Sequence, residues 1–258
     1  MITRKTFFDY ASGNPFTDLQ SLDNEVLMNP HSPSFNADSS RKVITKTKDL
    51  IAKLFGCDKN DIIFTSGASE SNSLALQIPF ECDENCHASI KNNPNRIYSS
   101  PYKAVSLVDG YFGMIHPINK ATHIDITQGI QEFVDNYKFK KLNSCKTISF
   151  DGSKIGAIQG AGVLLVKDDF KDNIKPFIYG KQQGGKRGGT LNTLAIKSLY
   201  NALLKVQKGY LFKEHIVTTD LWEEFRKLNI SIYESINMVI FNMSKCDFLS
   251  QYSSETIM

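Results

Sequence analysis

The chain has no run of about eighteen apolar residues, so a membrane-spanning helix is not expected. Its first residues, MITRKTFFDYASGNP, lack the apolar core of a signal peptide, and the expectation is a cytoplasmic protein. Charge of one sign is nowhere concentrated. Lysines alternate with Asp and Glu, and a net charge of +3 is too mild to point to nucleic acid. Cysteine is sparse and odd in number: Cys57, Cys82, Cys86, Cys145 and Cys246 cannot all pair, and reduced thiols are the expectation. Cys82, Cys86 and His87 stand close together, but no second ligand cluster accompanies them, so no metal is expected. Internal repeats and low-complexity tracts are also missing, which excludes a solenoid or a linker-like chain.

What is present is ordinary for a globular protein. The 258 residues are 41% hydrophobic and 22% charged, enough for one large domain or a domain with an appendage. Helical periodicity runs over 39–55, with Val43, Leu50, Ile51 and Leu54 on one side and Gly56 as the terminator. Residues 61–77 read as a strand (62–65), a Ser66–Gly67 turn and a helix (68–77). Further strands are expected at 97–100, 104–108, 122–126, 147–150, 162–166 and 238–242. Helices are expected at 130–137, 191–208 and 219–228, and residues 80–94 read as loop. Strands alternating with helices indicate an α/β layer protein, in which ligands gather beyond the carboxyl ends of the strands.

Three polar features fall at such strand ends. The small-residue helix start around Ala68 and Ser69 offers open N–H groups and a hydroxyl, suited to a phosphate. Asp125 ends a strand and can hold a ring nitrogen protonated. Lys154, on a Gly-containing turn between two apolar strands, is placed to offer an amine to an aldehyde. A phosphate, a ring nitrogen and an aldehyde together are the requirement list of pyridoxal phosphate.

These residues also carry a family resemblance. FFDYASGNP, NPHSPSF, IFTSGASESNSLAL, HIDITQG, SFDGSKIGAIQGAGVLLV and GKQQGGKRGGTLN follow one another in an order and form that resemble the cysteine desulfurase (NifS/IscS-like) branch of class V aminotransferases. The resemblance implies a type I pyridoxal-phosphate-dependent transferase fold, with a mixed, mostly parallel sheet and helices on both faces. It implies an N-terminal arm (1–15), a large cofactor-binding domain (16–205) and a partial, truncated C-terminal small domain (206–258). Lys154 matches the lysine that forms the internal aldimine, Asp125 the partner of the pyridine nitrogen, and Gln128 the contact to the phenolic oxygen. Ala68 and Ser69 match the phosphate-binding pair, Ser153 replaces a phosphate-binding histidine, and Thr190 matches a threonine that reaches the partner subunit's cofactor. A homodimer is thereby implied.

The chain also departs from that pattern. The histidine that stacks on the cofactor in an E-H-x-A-V segment has its counterpart in Tyr102 of PYKAV or in His87 of CHASI. Tyr102 is the assignment preferred here, because 97–100 supplies a preceding strand. The serine-rich cysteine loop that carries the persulfide has no match, and Cys246, in SKCDFLS, stands too early for it and reads as a plain thiol. The resemblance implies an enzyme that works on L-cysteine through a Lys154 aldimine and hands sulfur to an acceptor. The alternatives are an inactive cofactor-binding or scaffold relative, or another class V reaction such as transamination or β-elimination.

Overall fold

The structure, a computed structural model, describes residues 28–110 and 113–209 and the backbone of two further strands. The arm expected over 1–15, the helix expected over 219–228 and Cys246 lie outside the described residues.

Helix α1 (Asp38–Phe55) buries Thr47, Leu50, Ile51, Leu54 and Phe55, a stripe at helical spacing. Gly56 ends it in the left-handed conformation (φ 66°), its N–H returning to Ala52 O. Strand β1 (Ile62–Thr65) leads into α2 (Ala68–Ala75). Then come β2 (Glu81–Cys82), α3 (Ala88–Lys91), β3 (Lys103–Ser106), β4 (His123–Asp125) and α4 (Ile130–Asn136). Strand β5 (Thr147–Asp151) is followed by a 3-10 turn (Gly152–Ile155) that carries Lys154. Strand β6 (Gly162–Val166) and α5 (Thr193–Gln207) complete the main body, so the domain boundary expected after residue 205 falls inside the last turn of α5. Strands β7 (Ile232–Glu234) and β8 (Val239–Phe241) pair antiparallel.

The first six strands form one sheet in the order β1-β6-β5-β4-β3-β2, with β6 antiparallel to both neighbours and the other five running one way. This is the mixed, mostly parallel sheet that was expected. Strand alternation sorts the helices onto its two faces. Ile62, Phe64, Ile124, Ile148, Phe150, Val163 and Leu165 join the cluster packed by α1, α4 and α5. Phe55 of α1 stacks on Phe150 at 4.9 Å, and Phe133 of α4 stacks on Phe55 at 6.0 Å. Ile63, Ala104, Leu164 and Val166 face the other way, towards Leu74 of α2 and Ile90 of α3. On that second face the centre of the sheet presents polar residues: His123 and Asp125 from β4, Thr147 and Ser149 from β5, Ser106 from β3.

The stretch 97–100, expected as a strand, is not one. Tyr98 is fully exposed and Ile97 is 43% exposed, so neither has an apolar face to bury. The strand in this region is β2, inside the stretch read as loop. Only two residues long, it is held through its backbone: Glu81 N donates to Tyr102 O at 2.9 Å, and a bridge joins Phe80 to Arg96.

The turn into α2 is pressed onto the start of β6. A Cβ on Gly162 would lie 2.4 Å from the carbonyl carbon of Gly67, and backbone cannot move away as a flexible side chain can. Gly162→Ala is expected to cost about 2 kcal/mol or more through overpacking. Urea denaturation should show a lower midpoint with an unchanged slope, whereas Gly110→Ala, where a Cβ meets nothing within 4 Å, should leave the midpoint nearly unmoved.

Candidate active site at the carboxyl edge of the sheet

The carboxyl ends of β1, β3, β4 and β5 and the start of β6 share one edge, because Ser106 pairs with Asp125, and Gly162 with both Thr65 and Asp151. Asp125 lies there, 4% exposed. Its Oδ1 accepts Thr127 N and its Oδ2 accepts Asn72 Nδ2, each at 2.9 Å. Two short bonds to one carboxylate, one of them from backbone, fix its orientation and leave lone pairs for a further donor.

Asn72, on α2, is the hub of this buried network. Its Nδ2 also donates to Ser89 Oγ at 2.9 Å. Its Oδ1 accepts from Ser149 Oγ and from His123 Nε2, the latter at 2.9 Å. An amide oxygen only accepts, so the proton of His123 sits on Nε2, and Nδ1 accepts from Thr147 Oγ1 at 2.9 Å. Burial pushes His123 down to about 4, against the pull of Asp125, so the ring is neutral at ordinary pH. Sequence reasoning missed Asn72, His123, Thr147 and Ser149. The available signal was polar residues two apart on strands that are otherwise apolar, as in H-I-D and T-I-S.

Lys154 sits half-buried on the 3-10 turn after β5, and Gln128 is half-buried three residues beyond Asp125. Ala68 is buried at the start of α2, and Ser69 is exposed beside it. Ser153 meets the same corner through its backbone, its N–H donating to Asp151 Oδ1 at 2.8 Å. The other oxygen of Asp151 accepts Ala68 N at 3.4 Å. A second carboxylate, Glu70, accepts Ser66 N at 2.7 Å and pairs with Arg187 at 2.9 Å. Burial opposes it, but the bonds from Arg187 and Ser66 hold the Glu70 carboxyl below its ordinary value.

The ion pair ties the glycine-rich loop to α2. Gln183 ties the same loop to the edge strand, its amide donating to Phe64 O at 2.8 Å and accepting Phe64 N at 2.7 Å. Thr190 is exposed on this loop.

Tyr102 is not brought to the site. It precedes β3, at the amino edge of the sheet, while Ser106 marks the edge where Asp125 lies. Four residues of strand separate the two, roughly 13 Å. Its ring lies 6.4 Å from that of Phe170. His87 lies at that carboxyl edge instead. It follows β2, its N–H donates to Ser106 Oγ at 3.4 Å, and its Nδ1 bonds Ser89 Oγ at 2.8 Å. Ser89 in turn meets Asn72, which meets Asp125. The preference for Tyr102 rested on a strand at 97–100; with β2 as the preceding strand, the geometry favours His87.

No family model matches the chain. Curated relatives include the cysteine desulfurase IscS of Rickettsia prowazekii, 26% identical, covering 66% of this chain and 53% of the relative. The IscS of Rickettsia typhi is also 26% identical, with 71% and 58% covered. The chain thus spans a little over half the length of the curated relatives it matches. Among solved structures, SspA in complex with cysteine superposes with a TM-score of 0.76 at 21% identity, over 96% of this chain and 87% of that one. A NifS-like protein from Rickettsia africae gives 0.76 at 22%, over 96% and 84%. The fold is therefore that of the pyridoxal-phosphate-dependent transferases of type I. In sequence the chain is similar to the NifS/IscS-like proteins, a similarity that is partial and divergent.

The residues fit that cofactor at two of its three ends. Asp125 is a buried, oriented acceptor for a ring nitrogen, and Lys154 lies on the turn following the neighbouring strand. The phosphate end does not fit as it stands, because the Asp151 carboxylate lies on the amides of Ala68 and Ser153.

The buried neutral histidine gives stability a defined pH dependence. His123 binds its proton more weakly folded than unfolded, so its contribution is complete above about pH 6.5 and is lost as pH falls towards 4. About 2 kcal/mol should disappear between pH 7 and 5, seen as a falling urea midpoint, and His123→Gln should flatten that slope.

Proposed function

We propose that the chain is a cysteine desulfurase-like protein that holds a pyridoxal phosphate-type cofactor at the carboxyl edge of its sheet and acts on L-cysteine. The observation that carries this reading is the buried Asp125 carboxylate, aimed by Asn72 and Thr127 at the edge where the Lys154 turn also lies. The curated relatives' name, cysteine desulfurase, and the cysteine held by SspA support the substrate.

Bound there, the cofactor supplies an electron sink for the substrate α-carbon. Asp125 would face the ring nitrogen, with Asn72 Nδ2 holding the orientation of its carboxyl group. Lys154, on the turn after β5, would supply the amine that holds the aldehyde end and would carry a proton at the substrate α-carbon. Gln128 supports the phenolic oxygen. His87, exposed beside Ser89, is the ring group over the site in place of Tyr102.

Dimer formation belongs to the same proposal. Thr190 lies exposed on the glycine-rich loop, and Phe177 and Tyr179 before it are 57% and 84% exposed. A cytoplasmic setting and a sulfur acceptor come with the reading; among the described residues no helix is long and apolar enough to cross a membrane. The comparisons do not favour an inactive scaffold.

Purified protein given pyridoxal phosphate or pyridoxal should develop a visible absorbance band that borohydride traps on the chain, and Lys154→Ala should lose it. L-Cysteine should then yield alanine and, with a thiol reductant, sulfide. His87→Ala should shift the band and cut turnover about tenfold to a hundredfold or more, whereas Tyr102→Phe should change neither. A protein that takes up no cofactor overturns this reading, and equal effects of the His87 and Tyr102 variants overturn the assignment of His87.

A further inference from the structure

The start of α2 has the features of an anion cradle: small residues, a close-packed turn and first-turn amides pointing out of the helix. The chain, however, brings its own anion. Asp151, the last residue of β5, places Oδ2 on Ala68 N at 3.4 Å and Oδ1 on Ser153 N at 2.8 Å. The contact with the turn is close enough that a Cβ on Gly67 would come within 2.8 Å of Oδ2. The carboxylate thus joins the helix start to the lysine turn, the two backbone segments from which a phosphate at this corner would draw its donors. Glu70 adds a second carboxylate in the same first turn, already committed to Ser66 N and Arg187. The amides of Ala68, Ser153 and Ser66 already have carboxylate partners, and a phosphate dianion entering here meets like charge at contact distance.

We infer that Asp151 is a specificity-determining residue that occupies the phosphate corner, so that the site accepts an unphosphorylated pyridoxal-class aldehyde at least as readily as its phosphate ester. The discrimination has a simple chemical basis. A hydroxymethyl arm can donate a hydrogen bond to the Asp151 carboxylate, which a phosphate dianion cannot do, and it brings no charge. The inference rests on the reading that the Asp125–Lys154 edge takes such a ring, but its phosphate half can be tested without the ring.

Binding of pyridoxal and of pyridoxal phosphate is measured by absorbance titration on the whole chain, on Asp151→Asn and on Asp151→Ser. The Asn variant removes the charge and keeps the shape; the Ser variant also clears the corner. The unmodified chain should hold pyridoxal as tightly as the phosphate ester or more so, and both variants should turn the ratio towards the phosphate ester by about tenfold or more. In parallel, melting is followed with inorganic phosphate against chloride at matched ionic strength. Phosphate should raise the melting temperature of both variants beyond the general salt effect seen in the parent. A parent chain that prefers the phosphate ester tenfold or more, with the ratio unmoved in both variants, overturns the inference and leaves the ring-site reading standing. If no protein binds either aldehyde, the ring-site reading falls, and the phosphate melts alone decide whether Asp151 closes the corner. Equal phosphate stabilisation of all three proteins shows that it does not.

Discussion

A single buried amide holds this edge of the molecule together. Asn72 lies on the helix that covers the polar face of the sheet, and its two ends meet opposite partners: acceptors at Nδ2, donors at Oδ1. Through it α2 is registered against β4, β5 and the start of α3. A buried polar cluster is costly when any member lacks a partner and rigid when all are satisfied, so these bonds specify one relative position of helix and strands where apolar packing would tolerate several. The same bonds decide the tautomer of His123 and the orientation of Asp125. Both the stability of the sheet face and the chemistry available at its edge pass through that amide.

The neighbouring corner is built on the opposite electrostatic principle. There the helix start is satisfied by carboxylates that the chain supplies, Asp151 from the sheet and Glu70 from the helix itself. Acidic groups at a helix N-terminus are stabilising, and the Glu70–Arg187 pair uses one of them to hold down the glycine-rich loop. The Gln183 amide, bonded both ways to Phe64, caps the backbone of the edge strand that would otherwise be open on that side. One corner orients a buried carboxylate, and in the other the carboxylates bond backbone amides. The two corners lie one strand apart, Asp125 ending β4 and Asp151 ending β5.

The architecture could be read in the sequence where burial is strong on both faces. Strands β1 and β6 are four and five consecutive apolar or Thr and Gly positions, wholly buried, and were placed to the residue. Helix α1, with a clean apolar stripe and a terminal glycine, was placed within one residue of its start. The stretch around Ile97 and Tyr98 failed because β propensity describes fit to a half-buried surface, and no surface covers those residues. Strand β2 failed for the converse reason: Glu81 and Cys82 have no strand-like side-chain pattern, and only the backbones of neighbouring segments make them a strand.

Which chemical groups are available, and at which strand ends they fall, follows from the sequence alone: Asp125 ending β4, Lys154 after β5, and the small residues at the start of α2. Those follow from local period and turn chemistry, which act over a few residues. That His87 rather than Tyr102 reaches the edge of Asp125, through Ser89 and Asn72, was settled by the assembled fold, because it depends on which short strand pairs with β3 and at which end. The fold also decided that Asp151 reaches the amide of Ala68, a contact across 83 positions of chain. Such meetings are set by strand order and helix docking, and a residue carries no mark of them until the sheet has assembled.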